Sequence, residues 1–279
     1  MIVVTGATGN IGRPLVAALA AAGERVTAVS RRPWTAPAPD GVQHRQADLA
    51  EPESLKPVFD GADALFLLIA GGGENIDPES VLAAARAGGI RRVALLSSQA
   101  AGTRPDNLAH EHLRAMETAV RDHAPEWTVL RPSGFHSNAL LWAEPVRAQR
   151  TVAAPFGEVG LPMIDPADIA EVAAAVLREP GHTGRCYELT GPAPVSPREQ
   201  AEALGEAVGE PVRFVEQSRG EAREQLLRFM PEPVVDGTLA ILGEPTAAEQ
   251  RVSPEVERIL GRPARPFTDW ARRHRELFS

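Results

Sequence analysis

The sequence predicts an α/β chain: a parallel sheet wound with helices on both faces, followed by a smaller mixed lobe. Three observations carry this. Short apolar runs alternate with segments whose apolar residues recur at helical spacing. The best runs are continuous rather than alternating, as strands buried on both faces require. The first run ends on a glycine-rich turn that opens a helix. With 279 residues, 43% of them hydrophobic, the chain can hold one large domain and an appended lobe.

The elements follow in order. The β-branched run 2–5 reads as a buried strand ending at Gly6. Residues 11–22 have helical spacing, and Gly23 stops them. A second strand is expected at 25–30, a Pro-rich loop at 31–40 and a third strand at 42–48. A short helix at 52–59 precedes the strongly apolar strand 64–69, which Gly71 to Gly73 break. Then come a helix at 78–87, a strand at 92–97, a long helix at 108–123 and a strand at 127–131 closed by Pro132. Right-handed crossovers make such an order a doubly wound, Rossmann-like sheet.

After Gly134 the pattern loosens. Asp165 is placed to cap a helix, Pro166 suits its first position, and Asp168 complements its dipole. A strand at 185–189, a helix at 197–208, a strand at 212–216 and a mostly helical tail from Arg219 follow. The expected division is a dinucleotide-binding domain at 1–132 and a smaller substrate lobe at 133–279, with some segments returning to the first domain.

Charge and composition exclude several functions. The formal net charge is −8, and no long basic run exists, so nucleic acid is not an expected partner. Cys186 is the single cysteine, so there is neither an internal disulfide nor a cysteine metal site. His110 and His112 lack the spacing to chelate from one helix face and read as exposed helix histidines; no metal is expected. No Gly-x-Ser-x-Gly elbow marks a serine hydrolase. The longest apolar run, 64–70, is too short to cross a bilayer, and no leader is recognised, so a cytoplasmic monomer or homodimer is expected.

The turn reads Gly6-Ala7-Thr8-Gly9-Asn10-Ile11-Gly12. Gly6 permits the tight turn, Gly9 lets the backbone approach a pyrophosphate, and Gly12 lets the helix pack on the sheet. The helix start offers N–H groups and a positive dipole end to the phosphates. Thr8, Asn10 and Ile11 are candidates for phosphate or ribose contacts. Where an acid would select NAD, the second strand ends in Ser30-Arg31-Arg32, and two arginines suit a 2′-phosphate. NADP(H) is therefore expected over NAD(H). Asp48 with Leu49 fits an adenine-edge contact and equally an ordinary helix cap. Leu68, Ser97 and Pro132, at the carboxyl ends of their strands, complete the cofactor candidates.

The glycine turn resembles that of extended and atypical short-chain dehydrogenases. Three later segments are similar to the NmrA-like branch of that superfamily. They are Glu117 followed by 127–135 with Asn138 beyond, the run 162–170, and Tyr187-Glu188-Leu189-Thr190-Gly191-Pro192. The resemblance reaches to roughly residue 215. It implies a Rossmann-like domain with a small substrate lobe. Its members include NADPH-dependent quinone and dye reductases, and proteins that only sense the nicotinamide redox state.

One departure matters. Typical superfamily members use a Tyr-x-x-x-Lys pair, and aligning the family's helix glutamate on Glu117 puts Ala109 and Leu113 there. Tyr187 and Lys56 are the only tyrosine and lysine in the chain, so composition excludes that mechanism. Hydride transfer needs mainly position and electrostatics from the protein, and an activated acceptor dispenses with a strong acid. The expected substrate is a small aromatic or conjugated molecule: a quinone, an enone or a dye. His136 and Ser133 are the candidate catalytic residues, since related folds run this loop beside the nicotinamide. Phe135, Asn138, Trp142, Phe156 and Met163 are the candidate pocket lining, or plain core. A non-catalytic NADP(H) sensor acting through a protein partner and a non-redox isomerase or cyclase remain as alternatives.

Overall fold

The structure is a computed structural model and describes residues 1–33, 38–69, 71, 73 and 75–279. Part of the loop expected at 31–40, and Gly72 of the expected break, lie outside the described residues. In chain order the strands are β1 (Ile2–Val4), β2 (Val26–Ser30), β3 (Val42–Gln46), β4 (Ala64–Leu68), β5 (Arg92–Leu96), β6 (Glu126–Pro132), β7 (Thr151–Ala154), β8 (Arg185–Leu189) and β9 (Arg213–Glu216). The helices are α1 (Gly12–Ala21), α2 (Pro52–Phe59), α3 (Pro78–Ala87), α4 (Gln99–Thr103), α5 (Glu111–His123), α6 (Ala143–Gln149), α7 (Pro166–Arg178), α8 (Pro197–Val208), α9 (Arg219–Leu226), α10 (Glu232–Gly243), α11 (Ala247–Gln250), α12 (Glu255–Leu260) and α13 (Phe267–Arg273).

The chain divides into two compact units. The first combines Met1–Gly102, His110–Pro132 and Pro166–Glu188; the second combines Thr103–Ala109, Ser133–Asp165 and Leu189–Ser279.

The first unit is built on a sheet ordered β3-β2-β1-β4-β5-β6-β8. The pairs from β3 through to β6 are parallel, in registers such as Val3 with Thr27 and Val3 with Leu65. Continuous apolar runs form these strands because both faces are covered. Val3, Leu65, Leu67, Leu95 and Val129 share one cluster with Leu55 and Phe59 of α2, Val81 of α3 and Met116 of α5. Across the sheet, α7 packs against α1 and β4 to β6. The Rossmann-like expectation is met.

Residues 108–123 are not one helix. A 3-10 turn, Leu108–His110, precedes α5. The Asn107 carboxamide oxygen accepts the Ala109 N–H at 2.9 Å, a local bond that competes with an α turn. His110 and His112 are half-buried rather than exposed. Burial pushes His112 below its ordinary value.

The second unit holds a two-stranded parallel pair, β7 with β9, with Val152 opposite Phe214. Val146, Val152, Leu204, Phe267, Trp270 and Phe278 form its main core. A smaller cluster joins Ala222, Val235 and Leu239 with Phe156, Leu226 and Met230. Three helices start on reciprocal caps, Ser196 with Glu199, Ser218 with Glu221 and Thr246 with Glu249. Arg104 ties residues 103–109 to this unit through the Glu249 carboxylate, at 2.8 Å, and the Glu244 carbonyl, at 2.8 Å. The Asp165 carboxylate, 1% exposed, accepts from Arg273, a partner its place before Pro166 did not signal.

Candidate active site

In the first unit, β1 ends in a turn that has no room for a side chain at Gly6 or Gly12. Gly6 has φ +63°, a conformation costly for any residue with a Cβ. A Cβ there would lie 2.8 Å from Leu68 Cδ2, so Leu68 does border the turn. A Cβ on Gly12 would lie 2.2 Å from the Gly6 carbonyl oxygen and 2.7 Å from Ala7 Cα. Thr5 locks the approach: its hydroxyl accepts the Leu68 N–H at 2.8 Å, and the Ala7 N–H donates to Val29 at 3.1 Å.

No side chain caps the start of α1, and Thr8, Gly9 and Asn10 are exposed before it. Backbone of this kind, uncapped at a helix N-terminus, is chemically suited to a phosphate. The turn therefore fits the pyrophosphate of a dinucleotide. Ile11 behaves otherwise. Its side chain is 1% exposed, in the core, so only its backbone is offered to a ligand.

Arg31 and Arg32 are exposed after β2. Their backbone is held from β3 and from Ser30. The Gln46 amide donates to the Arg31 carbonyl at 3.0 Å, and the Ser30 hydroxyl donates to the Arg32 carbonyl at 2.5 Å. Ser30 Oγ is also 2.8 Å from His44 Nε2. Burial lowers the His44 pKa, favouring neutral imidazole there. Asp48 accepts the Ala50 N–H at 3.0 Å, an Asx turn rather than a cap of α2, whose N-cap position is Glu51, and Leu49 packs against the core cluster.

At the carboxyl ends of β5 and β6 lies a group that reasoning from the sequence named only in parts. The Ser97 hydroxyl donates to Glu117 Oε1 at 2.6 Å. Arg131 spans the same carboxylate with two donors, at 2.9 and 2.6 Å, and Arg121 adds a third charged contact at 2.8 Å. Glu117 is 1% exposed. Burial alone would raise its pKa, but the bonds from Arg131 and Ser97 prevail and hold it below the ordinary value. Ser97 is thus committed to Glu117. Pro132 is buried at the end of β6.

The second unit contains a cavity of about 290 Å³. Of the candidate lining residues, Asn138, Trp142 and Met163 border it. Phe135 and Phe156 do not stand among the lining residues, and here the expectation is corrected. Phe156 has φ +57°, and its ring lies where a Cβ on Gly243 would be 2.6 Å away, packed into the small cluster instead. Phe135 is half-buried, its backbone bridged to Ile164. The walls missed from sequence come from β7, α9, α10 and the turn between these two helices, including Ala153, Ala154, Leu226, Met230, Leu239 and Leu242.

Ser133 and His136 also belong to this unit, away from the cavity lining. The Ser133 hydroxyl donates to the Pro162 carbonyl at 2.7 Å. His136 is 2% exposed and stands edge-on to Phe267 with ring centroids 5.3 Å apart. Among the described residues no cluster of side chains could hold a metal ion, and no helix is long and apolar enough to cross a membrane.

Comparison with known proteins places these features in a family. A family model described as NAD(P)H-binding matches residues 6–180, from the glycine turn through α7. The chain is 39% identical to a (4-alkanoyl-5-oxo-2,5-dihydrofuran-3-yl)methyl phosphate reductase of Streptomyces griseus, covering 100% of this chain and 99% of the relative. It is 31% identical to an NAD(P)H azoreductase of Xenophilus azovorans, covering 100% and 99%. Among solved structures, the NADPH complex of quinone oxidoreductase QOR2 from Escherichia coli superposes with a TM-score of 0.82 at 25% identity, covering 97% of this chain and 98% of that one. The chain belongs to the NAD(P)H-binding family, on the atypical short-chain dehydrogenase, NmrA-like branch, and is an NAD(P)H-dependent reductase.

Proposed function

We propose that the chain prefers NADP(H) and reduces a small conjugated acceptor, a quinone, an enone or a dye-like molecule, without a tyrosine–lysine pair. The observation that carries this is the fate of the only tyrosine and lysine. Tyr187, on β8, has its hydroxyl 2.9 Å from His182 Nδ1, and Lys56 is an exposed residue of α2 paired with Glu53. Neither stands in a Tyr-x-x-x-Lys motif. An acceptor whose reduced form is stabilised by conjugation needs no strong acid, and water supplies the proton. The relatives' names support this acceptor class: one is an azoreductase, and the named substrate of another is a conjugated lactone.

Bound NADPH would supply the hydride. The chain's own part is to orient the cofactor and the acceptor. The Gly6–Gly12 backbone holds the pyrophosphate, and the exposed Arg31 and Arg32 guanidinium groups suit the 2′-phosphate. The Glu117 carboxylate fixes Ser97 and Arg131 beside the strand ends. Ser133 and His136, through their buried contacts, support the loop after β6 and are proposed as positioning residues.

The test is cofactor oxidation followed by absorbance, with menadione, a conjugated lactone and a cationic dye, using NADPH and NADH in parallel. Turnover with a lower KM for NADPH is expected. Tight binding of the cofactor with no turnover on any acceptor would overturn the reading in favour of a redox sensor.

A further inference from the structure

The cavity of the second unit differs in its chemistry from a slot for a flat ring. Its most buried wall is small and aliphatic: Ala139, Ala154, Ala222 and Leu239 are 2%, 6%, 4% and 0% exposed. Met163 and Met230, both half-buried, supply flexible thioethers that adapt to a flexible guest. Among the described residues, Trp142 is the single aromatic side chain in the lining. Among the described residues no lining side chain carries a charge; the polar side-chain groups are amides and one hydroxyl, with Asn138 and Gln225 at exposed positions. Three of these amides already have partners: Gln200 Nε2 donates to Met163 Sδ at 3.3 Å, and Gln217 Nε2 donates to Gln225 Oε1 at 3.2 Å.

A charged group would be costly against such a wall, and a rigid aromatic would meet few stacking partners. A saturated chain meets neither penalty. At roughly 30 Å³ for each water-sized group, the volume of about 290 Å³ admits about ten of them.

We infer that this cavity receives an uncharged aliphatic chain of about eight to ten carbons, carried by the acceptor as an alkyl or acyl substituent. The inference rests on the reductase reading above and adds the substrate class to it. Specificity then comes from the chain, through methylene burial, while the conjugated head is the part reduced.

The test has two arms. In the first, alkylnaphthoquinones from methyl to dodecyl are reduced with NADPH. The value of kcat/KM should rise about fourfold per methylene, the fold-change equivalent of about 0.8 kcal/mol, and level off near the length that fills the cavity. Ala153→Leu and Leu226→Phe narrow the cavity from different walls, and in whichever variant folds the rise should end at a shorter chain. In the second arm, 1-octanol is titrated without cofactor and tryptophan fluorescence is followed, with Trp142→Phe as the control. A saturable change that the control lacks is expected. Equal kcat/KM across chain lengths, with no Trp142 response, overturns the chain site and leaves the reductase standing. A Trp142 response without reduction of any quinone keeps the chain site and overturns the quinone-type acceptor of the proposed function. A chain-length rise that neither narrowed variant shortens assigns the chain to another place and overturns the inference.

Discussion

A methyl group on Gly12 would sit 2.2 Å from a carbonyl oxygen and 2.7 Å from Ala7 Cα, both backbone atoms that cannot swing aside. Gly12→Ala must therefore push α1 away from β1 and reshape the turn that receives the phosphates. Titration of the purified variant with NADPH should show at least a tenfold loss of affinity, about 1.4 kcal/mol. Native affinity in the variant would remove the phosphate role from this turn. At the proposed 2′-phosphate position, Arg31 and Arg32 are exposed, while their carbonyls are pinned by Gln46 and Ser30. Replacing both by alanine removes charge but leaves that backbone scaffold. NADPH binding should weaken by about 10- to 100-fold, on the scale of a lost charged hydrogen bond, while NADH binding stays within about twofold. Parallel titrations with the two cofactors check this, and an unchanged preference would sink the arginine argument. Both readings were legible in the sequence because the residues concerned are neighbours in the chain. For Ile11, order along the chain does not tell backbone from side chain: the side chain turns into the core and leaves only the backbone to a ligand.

Between elements, the Glu117 carboxylate joins β5, α5 and β6 through Ser97, Arg121 and Arg131. Glu117→Gln leaves Arg131, 19% exposed in its side chain, without its counter-charge, and removing one partner of a buried pair costs about 3–5 kcal/mol. The sign of the pH effect follows from the depressed carboxylate. The unfolded chain takes up the proton near the ordinary 4.5 and the folded chain only below it, so this stability is present above pH 4.5 and drains away as the pH falls further. Wild-type thermal midpoints should drop below that pH, and the part of the slope due to Glu117 should vanish in the variant. An identical slope in both would assign the acid sensitivity elsewhere. Elements of this kind divide sharply in how well sequence foretells them. Strands β1, β4 and β5 were plain because burial on both faces makes them continuously apolar. Strand β7, Thr151–Ala154, escaped because four residues with two alanines carry little strand preference. The Ser/Thr-x-x-Glu spacings at 196–199, 218–221 and 246–249 are a local signal that would have marked three helix starts in the tail. The cavity had no such signal, since its walls run from Asn138 to Leu242 and meet only after folding.

For the whole chain, the decisive fact is that neither unit is one stretch of sequence. The first unit needs Pro166–Glu188, which brings in α7 and β8. On α7, Ile169, Val172, Val176 and Leu177 are 0%, 0%, 1% and 2% exposed. Burying four such side chains contributes about 6–12 kcal/mol, comparable with the roughly 5–15 kcal/mol that holds a typical domain together. Cutting the chain after Pro132 would expose the faces of α1 and β4 to β6 that α7 covers, and would leave β6 an open edge in place of its bond to β8. A fragment of residues 1–132 should therefore contain the whole glycine turn yet fail to bind NADPH, bind a hydrophobic dye, and melt without a cooperative transition. A fragment of residues 1–188 restores α7 and β8 and should recover both the transition and cofactor binding. Far-ultraviolet circular dichroism on heating, with NADPH titration of each fragment, decides between them. A cooperative, cofactor-binding 1–132 fragment would mean that the turn and its first six strands suffice, and that α7 adds coverage the dinucleotide site does not require.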